Sequence, residues 1–472
     1  MKNLNQLTVS EAKARLKAKD FTSVELATAC ISQIKKYKQE LNAFITIIEK
    51  EALEQSAKAD KLIADGHDLP LLGIPLALKD LFSTKGIKTT AASNVLKNYI
   101  PEYDATTVKK LKDAGAIILG KTNLDAWAHG SSGENSDFGP TRNPWNTKYV
   151  PGGSSSGSAV SVASDMCLAA TGTDTGGSIR LPACFNNVVG LKPTYGRVSR
   201  YGIIAMASSL DSVGHFTKTV GDSALLFNVT AGQDIMDGTT LPEPVFDFTR
   251  SLEKGIKGLK IGIPKEFVTK DIDREVKVAF EKSVKIFEEL GAKIFEVSLP
   301  YTEYGIAAYY IIQPSEVSSN LARYDGIRYG ADRGSFGDEA KRRIMLGTFT
   351  LSSGYYDAYY KKAMQVRTLI KKDFDDAFEN IDALISPVCP TLPWKLGEKI
   401  NDPLKMYLSD ALTVTANIAG IPSLSVPAGF SSNKLPIGIQ IMGKQLSEEL
   451  LFQIGSAFEK QTNYYKEKPL LR

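Results

Sequence analysis

Short apolar runs broken by glycine and proline constrain the fold of this chain more than any other feature. Such runs occur at residues 71–78, 116–119 and 188–192, and they alternate with stretches of helical periodicity. The same pattern occurs at 260–297, where a strand-like run, an amphipathic helix and a second strand-like run follow one another. Runs of strand length separated by helices are typical of an α/β sheet flanked by helices, which is the fold class we expect.

The first 60 residues have a different character. Thr8-x-x-Glu11 and Thr22-x-x-Glu25 each match a capping box, and apolar residues follow at helical spacing. We therefore expect residues 1–60 to form a layer of amphipathic helices. The remainder, 61–472, is expected to be one large domain with three parts: a core at 70–232, a polar excursion at 233–258 and a second part at 259–472.

Composition excludes several classes of protein. The chain has 472 residues but only three histidines, His67, His129 and His215, none at zinc-ligand spacing, so a metal site or a His-dependent triad is disfavoured. A membrane span needs about 20 residues, and the apolar stretch at 69–78 is much shorter. The four cysteines are far apart in sequence, which is typical of a protein in a reducing compartment. The net charge of +4 is too small to indicate direct binding of nucleic acid. We expect a cytoplasmic protein with no membrane segment.

Two segments rich in glycine and serine carry the candidate chemistry. Residues 151–158 precede an apolar stretch at 159–170, which predicts a loop at the entrance of a buried helix. This segment also fits the G-x-S-x-G pattern of a nucleophile elbow. In the second segment, 172–182, three small residues precede Ser178 and permit a nest of N–H donors that would stabilise an oxyanion. Asp174 and Arg180 would pair across its turn.

A serine enzyme with few histidines needs another base. Lys79 ends the apolar run 71–78, so its amine would be buried. A lysine becomes a base at neutral pH only if its pKa falls by about 3 units from about 10.4. Most lysines are solvated, so these residues alone are compatible with a Ser/Lys hydrolase and name no substrate.

Taken together, the motifs resemble the amidase signature family. G-I-P-x-x-x-K-D ends at Asp80, G-G-S-S at Ser155, D-x-G-G-S-I-R-x-P at Pro182 and G-L-K-P-T at Thr194. Similarity also covers 195–202, 336–347 and 402–407, where the chain is most like the family members that hydrolyse glutamine for tRNA-dependent amidotransferases. The resemblance implies a single large α/β domain whose central mixed sheet is covered on both faces by helices.

The resemblance also implies roles for individual residues. Ser154 would be the nucleophile, Ser178 a proton relay on a cis peptide, and Lys79 the neutral base. Arg343 would bind the α-carboxylate of glutamine and Asp410 its α-ammonium group. The remaining expected positions are the oxyanion-hole amides at Thr175, Gly176 and Gly177, the pocket lining at Tyr309, and the pocket wall at Gly130 and Ser131.

These substrate positions have simpler explanations. Arg343 could belong to a charged helix face with Lys341 and Arg342, and residues 130–131 could be a plain surface loop. The chain also departs from the family near this pocket. The usual M-D-E-F-A-M-G-S-S reads L-D-A-W-A-H-G-S-S at 124–132, so His129 stands where the family usually has methionine. Ser156 replaces a glycine, and the pair 186–187 is Asn-Asn instead of Cys-Gly.

The resemblance further implies a multi-subunit enzyme. Two other subunits would complete a heterotrimer, and one of them would hold ATP, Mg²⁺ and most of the charged tRNA. This chain would need no cofactor of its own and would supply ammonia for conversion of Glu-tRNA(Gln) to Gln-tRNA(Gln).

Three other hypotheses remain open on the sequence. The first is a free-standing amidase of the same family that acts on another carboxamide. The second is an α/β-hydrolase-like esterase with Ser155 as nucleophile and His215 as base. The third is a scaffold whose chemistry has been lost, which the presence of Lys79, Ser154 and Ser178 disfavours.

Overall fold

A computed structural model describes residues 3–328 and 330–471. The helices are α1 Val9–Lys17, α2 Ser23–Leu41, α3 Glu49–Ala64, α4 Thr106–Asp113, α5 Ser156–Ala163, α6 Arg180–Asn186, α7 Val220–Thr230, α8 Arg274–Glu289, α9 Gly305–Asn320, α10 Asp338–Thr350, α11 Lys362–Ala377, α12 Pro403–Tyr407, α13 Val414–Ala419 and α14 Glu448–Thr462. The strands are β1 Phe44–Ile47, β2 Pro75–Lys79, β3 Ile117–Thr122, β4 Ala169–Asp174, β5 Val189–Lys192, β6 Ser212–Thr217, β7 Lys260–Pro264, β8 Lys293–Val297, β9 Ala383–Pro387, β10 Ser423–Phe430 and β11 Pro436–Met442.

The strands form one 11-stranded sheet in the order β1-β3-β2-β4-β6-β5-β10-β11-β9-β7-β8. β2 runs parallel to β3 and β4, and β7 runs parallel to β8 and β9, whereas the other pairings are antiparallel. The expectation of a mixed sheet flanked by helices is confirmed. Every residue of β2 and β4 is buried, which explains why these segments lack the alternation of a half-exposed strand.

The N-terminal segment matches its prediction in part. Both capping boxes are present, since the Thr8 and Thr22 side chains accept the N3 amides of α1 and α2. The segment is not purely helical, because β1 pairs with β3 and extends the sheet at its edge. β1 is only four residues long, and such a short strand has no sequence signal strong enough to separate it from the helices on either side.

The apolar stretch at 159–170 was expected to be one buried helix, and this expectation is wrong. The helix α5 ends at Ala163, and Asp165 takes a left-handed conformation with φ of 56° that breaks the chain direction. Residues from Ala169 onward then enter β4. A run of small apolar residues fits a buried helix and a buried strand equally well, so its periodicity could not locate the break.

The excursion at 233–258 contains little regular structure, with a 3-10 turn at Phe248–Ser251. It follows α7 and leads directly into β7. Among the helices of 3–328 and 330–471, none combines the length and apolarity that a membrane crossing requires.

Candidate active site

Lys79 lies at the end of the central strand β2 with no exposed surface. Its backbone N–H donates to the Thr171 hydroxyl on the neighbouring strand β4, at 3.0 Å. Its Nζ contacts three hydroxyl oxygens, those of Ser154 at 2.9 Å, Ser155 at 2.8 Å and Thr173 at 2.8 Å. The amine is therefore held by hydroxyl groups from two segments, with no carboxylate in direct contact.

The environment of Lys79 favours the uncharged amine. Burial lowers the pKa of Lys79 to about 7, although the more distant negative charges of Asp125, Asp174 and Asp211 act in the opposite direction. A neutral amine accepts one hydrogen bond, whereas an ammonium group only donates. Lys79 can therefore take a proton from one of its hydroxyl neighbours near neutral pH.

The two glycine- and serine-rich segments meet beside this lysine. Ser154 and Ser155 are fully buried, whereas Ser178 keeps 8% of its surface accessible. The N–H of Ser155 donates to the carbonyl of Ser178 at 3.2 Å, which joins the two loops. Ser154 thus lies against the amine of Lys79, and Ser178 lies on the more accessible side.

The expected position of the cis peptide is wrong. The cis bond lies between Gly153 and Ser154, not before Ser178. Both serines follow a pair of glycines, so the motifs do not distinguish them. Gly153 also packs closely on Asp125, so an added Cβ there would overlap the carboxylate.

The loop before Ser178 presents backbone donors. Within 3–328 and 330–471, the N–H groups of Thr175, Gly176 and Ser178 meet no protein acceptor. The N–H of Gly177, by contrast, donates to Asp174 Oδ1 at 2.8 Å. Of the three amides expected in an oxyanion hole, those of Thr175 and Gly176 are available, and Gly177 is already committed to Asp174.

A buried ion pair holds this loop in shape. Arg180 contacts Asp174 through Nε at 3.1 Å and NH2 at 3.0 Å, and neither side chain is exposed. Asn417 and Gln440 accept two further N–H groups of Arg180, at 2.6 and 2.9 Å. Burial alone would raise the pKa of Asp174, but Arg180 outweighs it and holds that pKa below its usual range. The expected pairing across the turn is present.

Arg343 points into the protein rather than along an exposed helix face. It is 3% exposed, whereas the side chain of its neighbour Arg342 is 40% exposed. Its Nε donates to Glu339 at 2.8 Å and its NH1 donates to Gln313 at 2.7 Å. The alternative that Arg343 is one of several solvated charges is therefore wrong.

Asp410 is also buried, with hydroxyl partners only. The hydroxyls of Ser131 and Tyr310 donate to its Oδ2 at 2.8 and 2.9 Å. Burial raises the pKa of Asp410 to about 6, against the effect of these two hydrogen bonds and of Arg343. The guanidinium of Arg343 lies 5.4 Å from the ring of Tyr310, so one tyrosine touches both charged residues.

Tyr309 and residues 130–131 pack against the groups described above. A Cβ on Gly176 would lie 2.7 Å from the Tyr309 hydroxyl, so this ring covers the loop before Ser178. Gly130 has φ of 138°, and a Cβ there would lie 2.7 Å from the Asp125 carboxyl carbon. Because Ser131 is buried and donates directly to Asp410, the alternative of a plain surface loop is wrong.

Several site residues were missed by the sequence analysis. Thr173 bonds the base, Tyr310 bonds Asp410, and Gln313 bonds Arg343. Thr173 and Tyr310 are each adjacent to a residue that was singled out, but neither has a motif of its own. The contacts depend on β4 lying beside β2 and on α9 packing on α10, and such long-range placement leaves no local signal.

The geometry argues against the esterase hypothesis. His215 lies on β6, and its Nε2 is 2.8 Å from the Ser223 hydroxyl. The Ser155 hydroxyl instead contacts Lys79 and the carbonyl of Thr173. The partner of His215 is therefore Ser223 and not Ser155. Burial also lowers the pKa of His215 to about 3, so its imidazole is a weak base.

Comparison with known proteins agrees with this fold. Residues 25–452 match the family described as Amidase, and the chain belongs to this family. A curated relative from Geobacter metallireducens, named as the A subunit of glutamyl-tRNA(Gln) amidotransferase, is 51% identical over 98% of this chain and 99% of its own length. A protein of the same name from Desulfatibacillum aliphaticivorans is 50% identical over 99% of this chain and 100% of its own length.

Solved structures give the same picture. The crystal structure of the glutamyl-tRNA(Gln) amidotransferase A subunit from Thermotoga maritima is 42% identical, with a TM-score of 0.86, and the match covers 100% of this chain and 99% of that one. The native peptide amidase from Stenotrophomonas maltophilia is more distant at 32% identity, with a TM-score of 0.85 over 99% of each chain. The fold is thus common to enzymes with different substrates, and it does not by itself select one.

Proposed function

We propose that this chain is the glutamine-hydrolysing subunit of a tRNA-dependent amidotransferase. The observation that carries the proposal is full-length similarity, at 50–51% identity, to proteins named as the A subunit of glutamyl-tRNA(Gln) amidotransferase. The buried pair of charged residues, Arg343 and Asp410, supports it, because glutamine carries a carboxylate and an ammonium group that such a pair would recognise.

We propose that Lys79 is the base, Ser154 the proton relay and Ser178 the nucleophile. This order reverses the roles of the two serines inferred from the sequence. Ser154 is fully buried and bonded to Lys79, which suits a relay. Ser178 is the more accessible hydroxyl, and it follows the unpaired amides of Thr175 and Gly176, which suits an attacking group beside its oxyanion hole.

The reaction then proceeds in two halves. Ser154 passes the proton of Ser178 to the amine of Lys79, and the Ser178 oxygen attacks the side-chain amide carbon of glutamine. The oxyanion is stabilised by the amides of Thr175 and Gly176, and the same relay returns the proton to the leaving nitrogen, which departs as ammonia. Water, activated by the same base, then attacks the glutamyl ester and releases glutamate.

The ammonia would be used elsewhere in a complex. We propose two partner subunits, one of which holds ATP and Mg²⁺, activates Glu-tRNA(Gln) and accepts the ammonia. This chain would bind no cofactor of its own and would work in the cytoplasm. The formal charge of +4 on 472 residues is consistent with a tRNA bound mainly by a partner.

The test is a pull-down of the tagged chain from its native host, followed by a glutaminase assay with and without Glu-tRNA and ATP. We expect co-purifying subunits, glutamine hydrolysis that Ser178→Ala abolishes, and formation of Gln-tRNA. A chain that purifies alone and hydrolyses simple amides but not glutamine would instead support the free-standing amidase.

A further inference from the structure

Two buried polar side chains, Gln313 in contact with Arg343 and His129 in the segment before Ser131, have unused hydrogen-bonding atoms. Within 3–328 and 330–471, both ring nitrogens of His129 and the Nε2 atom of Gln313 have no hydrogen-bond partner. His129 and Gln313 are each 0% exposed. A buried polar atom without a partner costs about 1–3 kcal/mol, so native proteins keep few of them without a functional reason.

The orientation of Gln313 is fixed by its partner. A guanidinium group has only donors, so the oxygen of Gln313 must face Arg343, and its NH₂ group must point away. The unused atom is therefore a donor next to a cation. A group that satisfies this donor and the spare donors of Arg343 together must be an acceptor, and a carboxylate suits it best.

His129 lies on the segment that carries Ser131. It directly precedes Gly130 and Ser131, and Ser131 bonds Asp410. Burial and the nearby charge of Arg343 lower the pKa of His129 well below its usual value, so its imidazole is neutral and offers one N–H donor.

We propose that His129 and Gln313 join Arg343 in binding the carboxylate end of the amide substrate. The inference rests on the proposed function, in which that substrate is glutamine. The side chains are unsatisfied in the free protein and gain their partners only when the substrate binds. The carboxylate site of this chain thus includes two neutral donors in addition to its arginine.

The variants His129→Met and Gln313→Glu test this inference. His129→Met removes one donor and adds no charge. Gln313→Glu keeps an oxygen for Arg343 and removes the NH₂ donor, but its negative charge would also repel the substrate carboxylate, so a raised KM supports the inference only when His129→Met raises KM as well. Thr107→Val is the matched control, because the Thr107 hydroxyl is also buried without a partner but lies on α4, outside the site.

The measurements are steady-state glutaminase kinetics and melting temperature with and without glutamine, on the full chain with any co-purifying subunits. We expect each site variant to raise KM for glutamine about tenfold or more, as loss of a hydrogen bond to a charged group does, with kcat within about twofold. The melting temperature without glutamine should not fall for His129→Met, whereas the rise caused by glutamine should shrink. Thr107→Val should leave KM unchanged.

The outcomes separate the two proposals. If the wild-type preparation does not hydrolyse glutamine, the proposed function fails and the inference falls with it. If it does, an unchanged KM in Gln313→Glu or His129→Met overturns the inference alone. A lower melting temperature without glutamine, together with loss of kcat, would also overturn it, because that pattern marks a structural role.

Discussion

Asp174 and Arg180 form a fully buried ion pair within one turn of chain, and the amides of Gly177 and Ile179 donate to the same carboxylate. We expect Arg180→Met to destabilise the fold by about 3–5 kcal/mol, because Asp174 would remain as an unpaired buried charge. Urea unfolding followed by fluorescence would measure this loss. Adding Asp174→Asn to Arg180→Met should recover part of it, and a loss below about 1 kcal/mol in the single variant would contradict the role given to the pair.

The roles of Ser154 and Ser178 can be separated by trapping the acyl intermediate. With an electrophilic glutamine analogue, we expect peptide mass spectrometry to find the added mass on Ser178. Ser178→Ala should abolish labelling, and Ser154→Ala should slow it by about 100-fold or more, since a proton relay commonly contributes that much. A label on Ser154 would restore the roles inferred from the sequence.

The state of Lys79 predicts the acid limb of the pH profile. Only its neutral form accepts a proton, and its pKa is lowered to about 7 by burial. We therefore expect kcat/KM for glutamine to rise about tenfold per pH unit between pH 6 and pH 7 and to level off above pH 7. Lys79→Ala should be inactive at every pH. A limb centred near pH 9 or above would show that burial does not depress this amine.

Asp410 should affect binding rather than chemistry. Its pKa is raised to about 6 by burial, so it becomes protonated as the pH falls below 6 and can no longer pair with an ammonium group. We expect KM for glutamine to increase as the pH is lowered through 6. In Asp410→Asn, KM should be high throughout and this pH dependence of KM should disappear; if it persists, another group is responsible.

Gly176 is required by the packing of Tyr309. An added Cβ would lie 2.6 Å from the ring carbon Cζ, so we expect Gly176→Ala to displace the ring or the loop and to lower kcat by about 100-fold, the effect of losing one oxyanion donor. Gly238→Ala is the control, since no atom lies within 4 Å of a Cβ there. Equal activity of the two variants would remove Gly176 from the catalytic loop.

Local patterns predicted much of this molecule. The capping boxes of α1 and α2, the strand β7 with its partner β8, and the pairing of Asp174 with Arg180 follow from residues close in sequence. The contacts of Tyr310 with Asp410 and of Gln313 with Arg343 join segments 100 and 30 residues apart. Such contacts depend on how the helices and strands pack in space, and the spacing of residues in the sequence does not predict that packing.

The two similar serine segments show the same limit. Ser154 and Ser178 each follow two glycines, and only the packing around them distinguishes a fully enclosed hydroxyl from one that keeps 8% of its surface accessible. Motif matching could select both residues for the site but could not order them along the path of the proton.

The position of β2 between β3 and β4 has a consequence for how this enzyme fails. Lys79 is the last residue of an interior strand, and its amine rests on hydroxyls that the adjoining strand and the loop before α5 supply. The edge strands β1 and β8 supply none of these hydroxyls. We therefore expect the contacts of Lys79 to survive fraying of either edge strand and to be lost when β2 separates from β4 or when the loop before α5 moves away.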